Sequence, residues 1–403
     1  MTTRTEPRAP AGGERAEVGP QAPGVLHAPA ASEVARGLEA LAGARVAVAL
    51  SGGVDSAVAA ARLVDAGVEV VGLALRLHDP DPDNPLAPRA CCPPDDLQDA
   101  RRVAEQLGFP FYVLDGRRAF SEQVVAPFVR SYLSGRTPNP CVGCNAFVKL
   151  EALHRRARAL GCVALATGHY ARLRVEAGRP LLFAGADRSK DQSYFLHGTD
   201  PALLAALVFP LGATTKDEVR TEATRRGLPV AHKLDSQEVC FVGGAGAGAF
   251  VRRQPEAQGD HAGPIVDESG RTLGRHSGVM HFTVGQRRGL GVAAPQPLHV
   301  IGLDAASRTV TVGPADRLLE RGLLGRRARW PSGAPAEPTR ARVRIRYRDP
   351  GTEALVTALD DHRVEVRFDR PVRAIAPGQA AVFYRGDQVL GGAVIEHGFG
   401  RAP

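Results

Sequence analysis

"VAVALSGGVDSAVAA", residues 46–60, reads as three pieces in succession: a short apolar run, a turn with two adjacent glycines, and an alanine-rich run free of helix breakers. An apolar run of this length without polar alternation is a strand covered on both faces, and the run after the turn is a helix. The glycine turn then sits at the carboxyl end of a buried strand, with the first N–H groups and positive dipole end of the helix behind it. Such a turn cradles an anion. No Lys-Ser or Lys-Thr pair follows Ser51-Gly52-Gly53-Val54-Asp55-Ser56, as a loop that reaches a γ-phosphate requires, and the spacing is not that of a dinucleotide fingerprint. The loop therefore suits a pyrophosphate group held by backbone and hydroxyl donors, with Asp55 able to help hold Mg²⁺.

Working outward, "VEVVGLAL" (68–75), "FYVLD" (111–115) and "VALAT" (163–167) repeat the short apolar run, separated by helical segments such as "DLQDARRVAEQLG" that end in glycine. Alternation of buried strand and helix predicts an α/β, doubly wound parallel sheet over residues 41–240. Past residue 240 the pattern changes to Gly, Pro and β-branched residues at short spacing, which predicts a small β-rich middle domain at 241–312 and a C-terminal antiparallel β-barrel at 320–400. Residues 1–40, rich in Pro, Ala and Gly, are expected to be a disordered tail.

The chain has 403 residues, 23% of them charged and 44% hydrophobic, with no apolar run long enough to span a bilayer, so a soluble, cytoplasmic protein with no membrane partner is expected. Charge is uneven. From Arg271 onward there are 21 Arg and no Lys against 12 acids, a net +9, which leaves about −1 for the first 270 residues. Within that basic end "RARVRIRYR" (340–348) alternates Arg with apolar residues, as a strand with one charged face does. Two readings stand, a footprint for a phosphate backbone and a solvated face.

Six cysteines without a secretory signal point to a reducing compartment, which leaves thiol chemistry open. Cys141 and Cys144 are three apart, but Cys91 and Cys92 are adjacent and supply no second ligand pair for zinc. Cys162 opens an apolar strand and reads as a packing residue, and Cys92 as structural or accessory.

The loop SGGVDS resembles that of the PP-loop ATP pyrophosphatases, which adenylate an oxygen and release pyrophosphate. "GRTPNPCVGCN" (135–145), "ATGHYAR" (166–172), "KDQSYFL" (190–196), "KLDSQEVCFV" (233–242), "GRHSGVMHFTVGQRRGLG" (274–291), "RIRYRD" (344–349) and "APGQAAVFY" (376–384) with "VLGGAVI" (389–395) follow in order. Together they resemble the bacterial tRNA-specific 2-thiouridylases over nearly the whole chain from Arg45. The resemblance implies that Cys144 is the nucleophilic cysteine and Cys240 the carrier of sulfur as a persulfide. It implies ATP contacts at Ala49, Leu50, Ser51, Gly52, Gly53, Val54, Asp55, Ser56, Leu75 and Gly168. It places Asn139, Pro140 and Cys141 beside the target base, and His169, Lys190, Asp191, Gln192, Arg346, Tyr347 and Gln379 against tRNA.

The implied reaction is coherent chemically. A uracil 2-carbonyl is a poor electrophile, so adenylation by ATP comes first and a thiolate or persulfide then displaces AMP. A second thiol frees the sulfur by exchange, and the base leaves its stack, which an anticodon loop permits. A cysteine desulfurase or a sulfur carrier is the implied donor. The family has either Asp or Cys where this chain has Cys141, so a second route stays open in which Cys141, Cys144 and Cys240 hold a [4Fe-4S] cluster that binds hydrosulfide. A PP-loop synthetase acting on a small molecule also explains SGGVDS, but leaves the basic barrel and both cysteine stations idle, and a non-enzymatic RNA-binding scaffold leaves the ATP loop idle.

Overall fold

The computed structural model describes residues 37–79, 94–235, 239–244 and 246–401. Most of the expected tail, both cysteines of the Cys91-Cys92 pair and Ser236 to Glu238 lie outside the described residues. Leu38–Leu41 forms a 3-10 turn with Leu41 buried, so packed chain has begun by that point.

The first region contains strands β1 (Arg45–Ala49), β2 (Glu69–Arg76), β3 (Phe111–Asp115), β4 (Ala164–Ala166), a hairpin β5 (Ala171–Glu176) and β6 (Arg179–Ala184), and β7 (Leu207–Val208). Five of them form a parallel sheet in the order β3-β2-β1-β4-β7. Strand order reverses at β1, whose neighbours are β2 and β4, and the crevice beyond β1 and β4 is where doubly wound sheets bind ligands. The helix Val54–Asp65 covers one face; its residues Ala57, Val58, Ala59, Ala60 and Ala61 are all buried, the small side chains letting it lie close to the sheet.

A middle sheet, β8 (Gly263–Val266), β9 (Thr272–His276), β10 (His299–Asp304) and β11 (Thr309–Gly313), has the order β10-β11-β8-β9. It is mixed rather than antiparallel throughout, because β8 and β11 run parallel. The C-terminal region is a six-strand antiparallel barrel of β12 (Leu319–Arg329), β13 (Thr339–Arg344), β14 (Thr352–Ala358), β15 (Arg363–Arg373), β16 (Ala380–Arg385) and β17 (Gln388–Arg401), closed by pairing of β12 with β17. Closure leaves no free edge around the barrel.

The barrel does not stand apart from the α/β region. The hairpin β5–β6 reaches out and pairs β6 with the start of β17, Gln388 opposite Phe183. Below it a single apolar cluster runs from Ala47, Leu73 and Leu165 of the parallel sheet through Tyr194 to Ala380, Val382 and Tyr384 of β16. A shared core of this kind holds two regions as one packed body.

Candidate active site

The glycine loop occupies the reversal point of the sheet. Gly52 has φ of 73°, and a Cβ there would sit 2.1 Å from the carbonyl oxygen of Asp96, so both the left-handed backbone and the approach of the helix Pro94–Leu107 require glycine. Ser56 Oγ accepts from the Ser51 N–H at 3.2 Å and donates to the Gly53 carbonyl at 3.0 Å, which curls the loop over the helix start. Gly53 is the N-cap and brings no side chain, so the first helical N–H groups receive no cap from it. Gly168, just past β4, packs where a Cβ would lie 2.8 Å from the Ser56 nitrogen. The two motifs thus build one cradle across the β1/β4 crevice. Leu75, an expected ATP contact, has its side chain in the core.

Asp55, expected to help hold Mg²⁺, has partners within the protein. Its carboxylate accepts from Tyr170 Oη at 2.7 Å and from Lys216 Nζ at 2.7 and 2.8 Å, one contact to each oxygen. Tyr170 is itself pinned by Gln192, whose Oε1 accepts from the Tyr170 N–H at 3.0 Å.

The thiols are positioned differently. Asn139 caps the short helix Pro140–Cys144 by accepting from the Cys141 N–H at 3.2 Å, and the helix runs through a π turn, Asn145–Lys149, into Leu150–Ala159. Pro at the first helical position suits a helix start, and π turns recur at functional sites. Cys144, the last residue before that turn, is buried at 5% exposure, and Cys141 is half-buried. Cys240 lies on the turn Val239–Val242, anchored by the neighbouring Phe241, whose ring packs edge-on against Phe120, Phe128 and Phe250 at 5.1–5.5 Å. Cys144 and Cys240, 96 residues apart, pack on the same apolar cluster, as does Ala49 at the entrance to the glycine loop. Cys162 is also buried, and burial pushes its thiol up to about 11, so it is the protonated, unreactive form that packs there.

The approach to the thiol helix is tied to all three regions. The Thr137 N–H donates to the Pro377 carbonyl at 2.8 Å, Gln379 Nε2 donates to the Thr137 carbonyl at 2.9 Å, and Thr137 Oγ1 bonds Thr283 Oγ1 of the middle region at 3.1 Å. Gln379 therefore holds the loop that leads to Asn139, Pro140 and Cys141. His169 bonds Thr167 Oγ1 through Nδ1 at 2.8 Å; burial, helped by the charge of Lys149, lowers its pKa to about 4 and keeps the ring neutral. Lys149 lies on the π turn after Cys144, so that charge links the thiol helix to the crevice.

The motif Lys190-Asp191-Gln192, expected against tRNA, is engaged within the protein. Lys190 bonds Asp235, Gln192 holds Tyr170, and Asp191, 3% exposed, accepts from Arg344 Nη1 at 3.0 Å and from the N–H groups of Gly185 and Ser193. Arg344 comes from the alternating run of β13. Its guanidinium also stacks at 5.5–5.6 Å over Tyr384 and Tyr194, so this arginine joins the barrel to the α/β region instead of facing solvent. Arg346 and Arg348 are exposed, and Tyr347 between them is half-buried on Phe195 at 4.5 Å.

Among the described residues no group of three His, Cys, Asp or Glu side chains is placed to hold a metal ion. Cys141, Cys144 and Cys240 are not gathered as a cluster-ligand set, and no step through iron follows from this arrangement.

Residues 44–244 match the family model of a tRNA methyl transferase HUP domain, 250–314 that of a tRNA methyl transferase PRC-barrel domain, and 320–395 that of an aminomethyltransferase beta-barrel domain. The tRNA-specific 2-thiouridylase of Sorangium cellulosum is 50% identical over 359 residues, covering 88% of this chain and 92% of its own length. That of Geotalea uraniireducens is 48% identical, covering 88% and 95%. The chain belongs to the tRNA-specific 2-thiouridylase family. A solved U34-tRNA thiolase from Methanococcus maripaludis, described with its [4Fe-4S] cluster, matches at a TM-score of 0.31 and 18% identity over 47% of this chain and 58% of that one, too distant to bear on the site. In this family member the glycine loop and Gly168 meet across one crevice, and two cysteines lie on one apolar cluster. The pairing of Lys216 with Asp55 was not legible in the sequence: the two stand 161 residues apart, and only the place of Lys216 at the start of a capped helix, "TTKDEVR", marks it.

Among the described residues no helix is long and apolar enough to cross a membrane.

Proposed function

We propose that this protein carries out ATP-dependent 2-thiolation of the wobble uridine of tRNA, as a tRNA sulfurtransferase. The observation that carries the reading is the common cluster on which Cys144, Cys240 and Ala49, at the mouth of the glycine loop, all pack. MgATP is the activating substrate. The uracil 2-oxygen attacks the α-phosphorus, pyrophosphate leaves into the cradle of Ser51 to Ser56, and the oxygen becomes part of a good leaving group, AMP.

The sulfur step needs both cysteines. Cys240, loaded by a protein persulfide donor such as a cysteine desulfurase or sulfur carrier, presents its outer sulfur to C2, and AMP departs with the former 2-oxygen. The Cys144 thiolate then attacks the inner sulfur of Cys240, breaking the S–S bond so that the outer sulfur stays on the base and a Cys144–Cys240 disulfide forms. An external thiol reductant supplies the two electrons that reset the pair. Asn139, Pro140 and Cys141 border the turned-out base, while neutral His169 offers a hydrogen bond without adding charge beside a phosphate. The exposed Arg346 and Arg348, with Tyr347, meet the RNA backbone. The test is mass spectrometry of tRNA nucleosides from cells with and without this protein: 2-thiouridine derivatives present only with it support the reading, and an unchanged profile overturns it.

A further inference from the structure

The scheme above ends on a Cys144–Cys240 disulfide and gives Cys141 no thiol chemistry of its own. Cys141-Val142-Gly143-Cys144 is a C-x-x-C run on the first turn of a helix that continues from Pro140 through the π turn to Ala159. This is also the spacing of dithiol redox pairs, because residues three apart on a helix are neighbours on one face, with Cβ atoms about 5–6 Å apart. Val142 and Ala146 point elsewhere, toward Gly198, where a Cβ would lie 3.5 and 3.8 Å from them. The two thiols therefore share a different side of the helix.

A disulfide asks for Cβ atoms at about 3.5–4.5 Å, so the turn has to tighten to close one. The local structure allows it. Gly143 lies between the two cysteines, and among the described residues the nearest non-neighbouring side chain to a Cβ there would be Phe147, at 4.0 Å. Glycine without close neighbours leaves the turn adjustable. The π turn Asn145–Lys149 that follows already departs from α-helical pairing. A bridge closed against this geometry is strained, and strained bridges are the ones that thiols reduce readily.

Burial supplies the direction. Cys144 is 5% exposed and Cys141 half-buried. A reductant from solution reaches Cys141 more readily than Cys144, whereas a thiol fixed on the same turn meets Cys144 at an effective concentration of about millimolar or above.

We propose that Cys141 is the resolving cysteine of the site. It gives its proton to water, and its thiolate attacks Sγ of Cys144 in the Cys144–Cys240 disulfide. The bond to Cys240 breaks, Cys240 leaves with the electron pair as a thiolate ready for the next sulfur, and a Cys141–Cys144 disulfide takes its place. This exchange consumes no electrons. An external dithiol then attacks the more exposed Cys141 sulfur, supplies two electrons and returns both cysteines to thiols. The proposal rests on the two-cysteine reading of sulfur transfer.

A single turnover without reductant tests it. Wild-type protein carrying persulfide sulfur on Cys240 is given MgATP and tRNA, free thiols are blocked with N-ethylmaleimide, and unreduced peptides are mapped by mass spectrometry. The expected map has a Cys141–Cys144 bridge and a blocked Cys240. In Cys141→Ser the bridge stays between Cys144 and Cys240. With a dithiol and a persulfide donor present, this variant gives a burst of about one thiolated tRNA per protein, and the ratio of steady-state to burst rate falls about ten-fold below wild type. A role confined to contact with the base slows both phases together and leaves the ratio alone. A wild-type map in which Cys240 stays bridged to Cys144, or an unchanged ratio in Cys141→Ser, overturns the proposal; the wild-type map decides the matter should the variant fail to fold. Sulfur delivered to tRNA with every cysteine still reduced contradicts the proposed sulfur step itself.

Discussion

The nucleotide end and the thiol end of the site are built on different principles. Ser51 to Ser56 are consecutive residues fixed by main-chain geometry: a left-handed glycine, a helix start, and two serine hydroxyl bonds at the reversal point of a parallel sheet. Cys144 and Cys240 come from separate segments that pack on one apolar cluster, one on a capped helix before a π turn, the other on a turn held by a cluster of phenylalanine rings. In the proposed reaction, activation uses groups placed by one local segment, whereas sulfur transfer uses two segments that the packing of the fold has to bring to each other. Damage to packing and interdomain bonds therefore falls first on sulfur transfer.

That contrast can be broken most sharply at the cysteines. Cys144→Ser and Cys240→Ser each reduce tRNA thiolation by at least about a thousand-fold, as loss of a nucleophile does, while AMP formation with tRNA persists. Cys162→Ser keeps thiolation within about two-fold in protein that folds, since a protonated packing thiol takes no part in the proposed sulfur transfer. Loss of AMP formation in either of the first two variants means that the two ends are not separable.

Arg344→Met tests the joint between barrel and α/β region. It leaves the buried Asp191 carboxylate without its cation and lowers unfolding stability by about 3–5 kcal/mol, measured in urea, with Asp191→Asn added to the same chain recovering part of the loss. The exposed pair of Arg340 with Asp369 is the control, worth about 0–1 kcal/mol. Equal effects at both pairs contradict the account of Arg344 as the joint.

Gln379→Ala frees the Thr137 carbonyl. Thiolation falls about ten-fold through kcat, equivalent to one hydrogen bond of about 1.4 kcal/mol, and AMP formation is unchanged. A rise in KM for tRNA with kcat untouched assigns Gln379 to RNA contact instead. The smallest effect is at Arg346→Ala or Arg348→Ala: tRNA binding weakens a few-fold at moderate salt, and the slope of log affinity against log salt shrinks by about 0.7–0.9 per lost phosphate contact. A slope that does not change removes them from the RNA interface.

How far the sequence carries the reader follows the same division. The loop at 51–56, the strands on either side and the closed barrel were legible because each is announced by local pattern, period and turn chemistry. The alternation of "RARVRIRYR" indicated a strand, which forms only as far as Arg344, with residues 345–348 turning away; nothing in the period says what the arginines meet, so Arg344 looked like its neighbours Arg346 and Arg348. The hairpin β5–β6 that extends the barrel, the parallel pair in the middle sheet and the bond from Gln379 to Thr137, 242 residues apart, are long-range pairings with no local signature. Lys216 belongs to the same class: an ordinary helix-start lysine until the fold sets it between two aspartates.

The central claim is that sulfur passes from Cys240 to the base with Cys144 releasing it. The direct measurement loads the purified protein with radioactive persulfide sulfur, adds MgATP and tRNA for a single turnover, and follows the label. In the wild type the label moves to tRNA only when ATP is present, and in Cys144→Ser it remains attached through Cys240. Free labelled 2-thiouridine formed at the wild-type rate by Cys144→Ser contradicts the account.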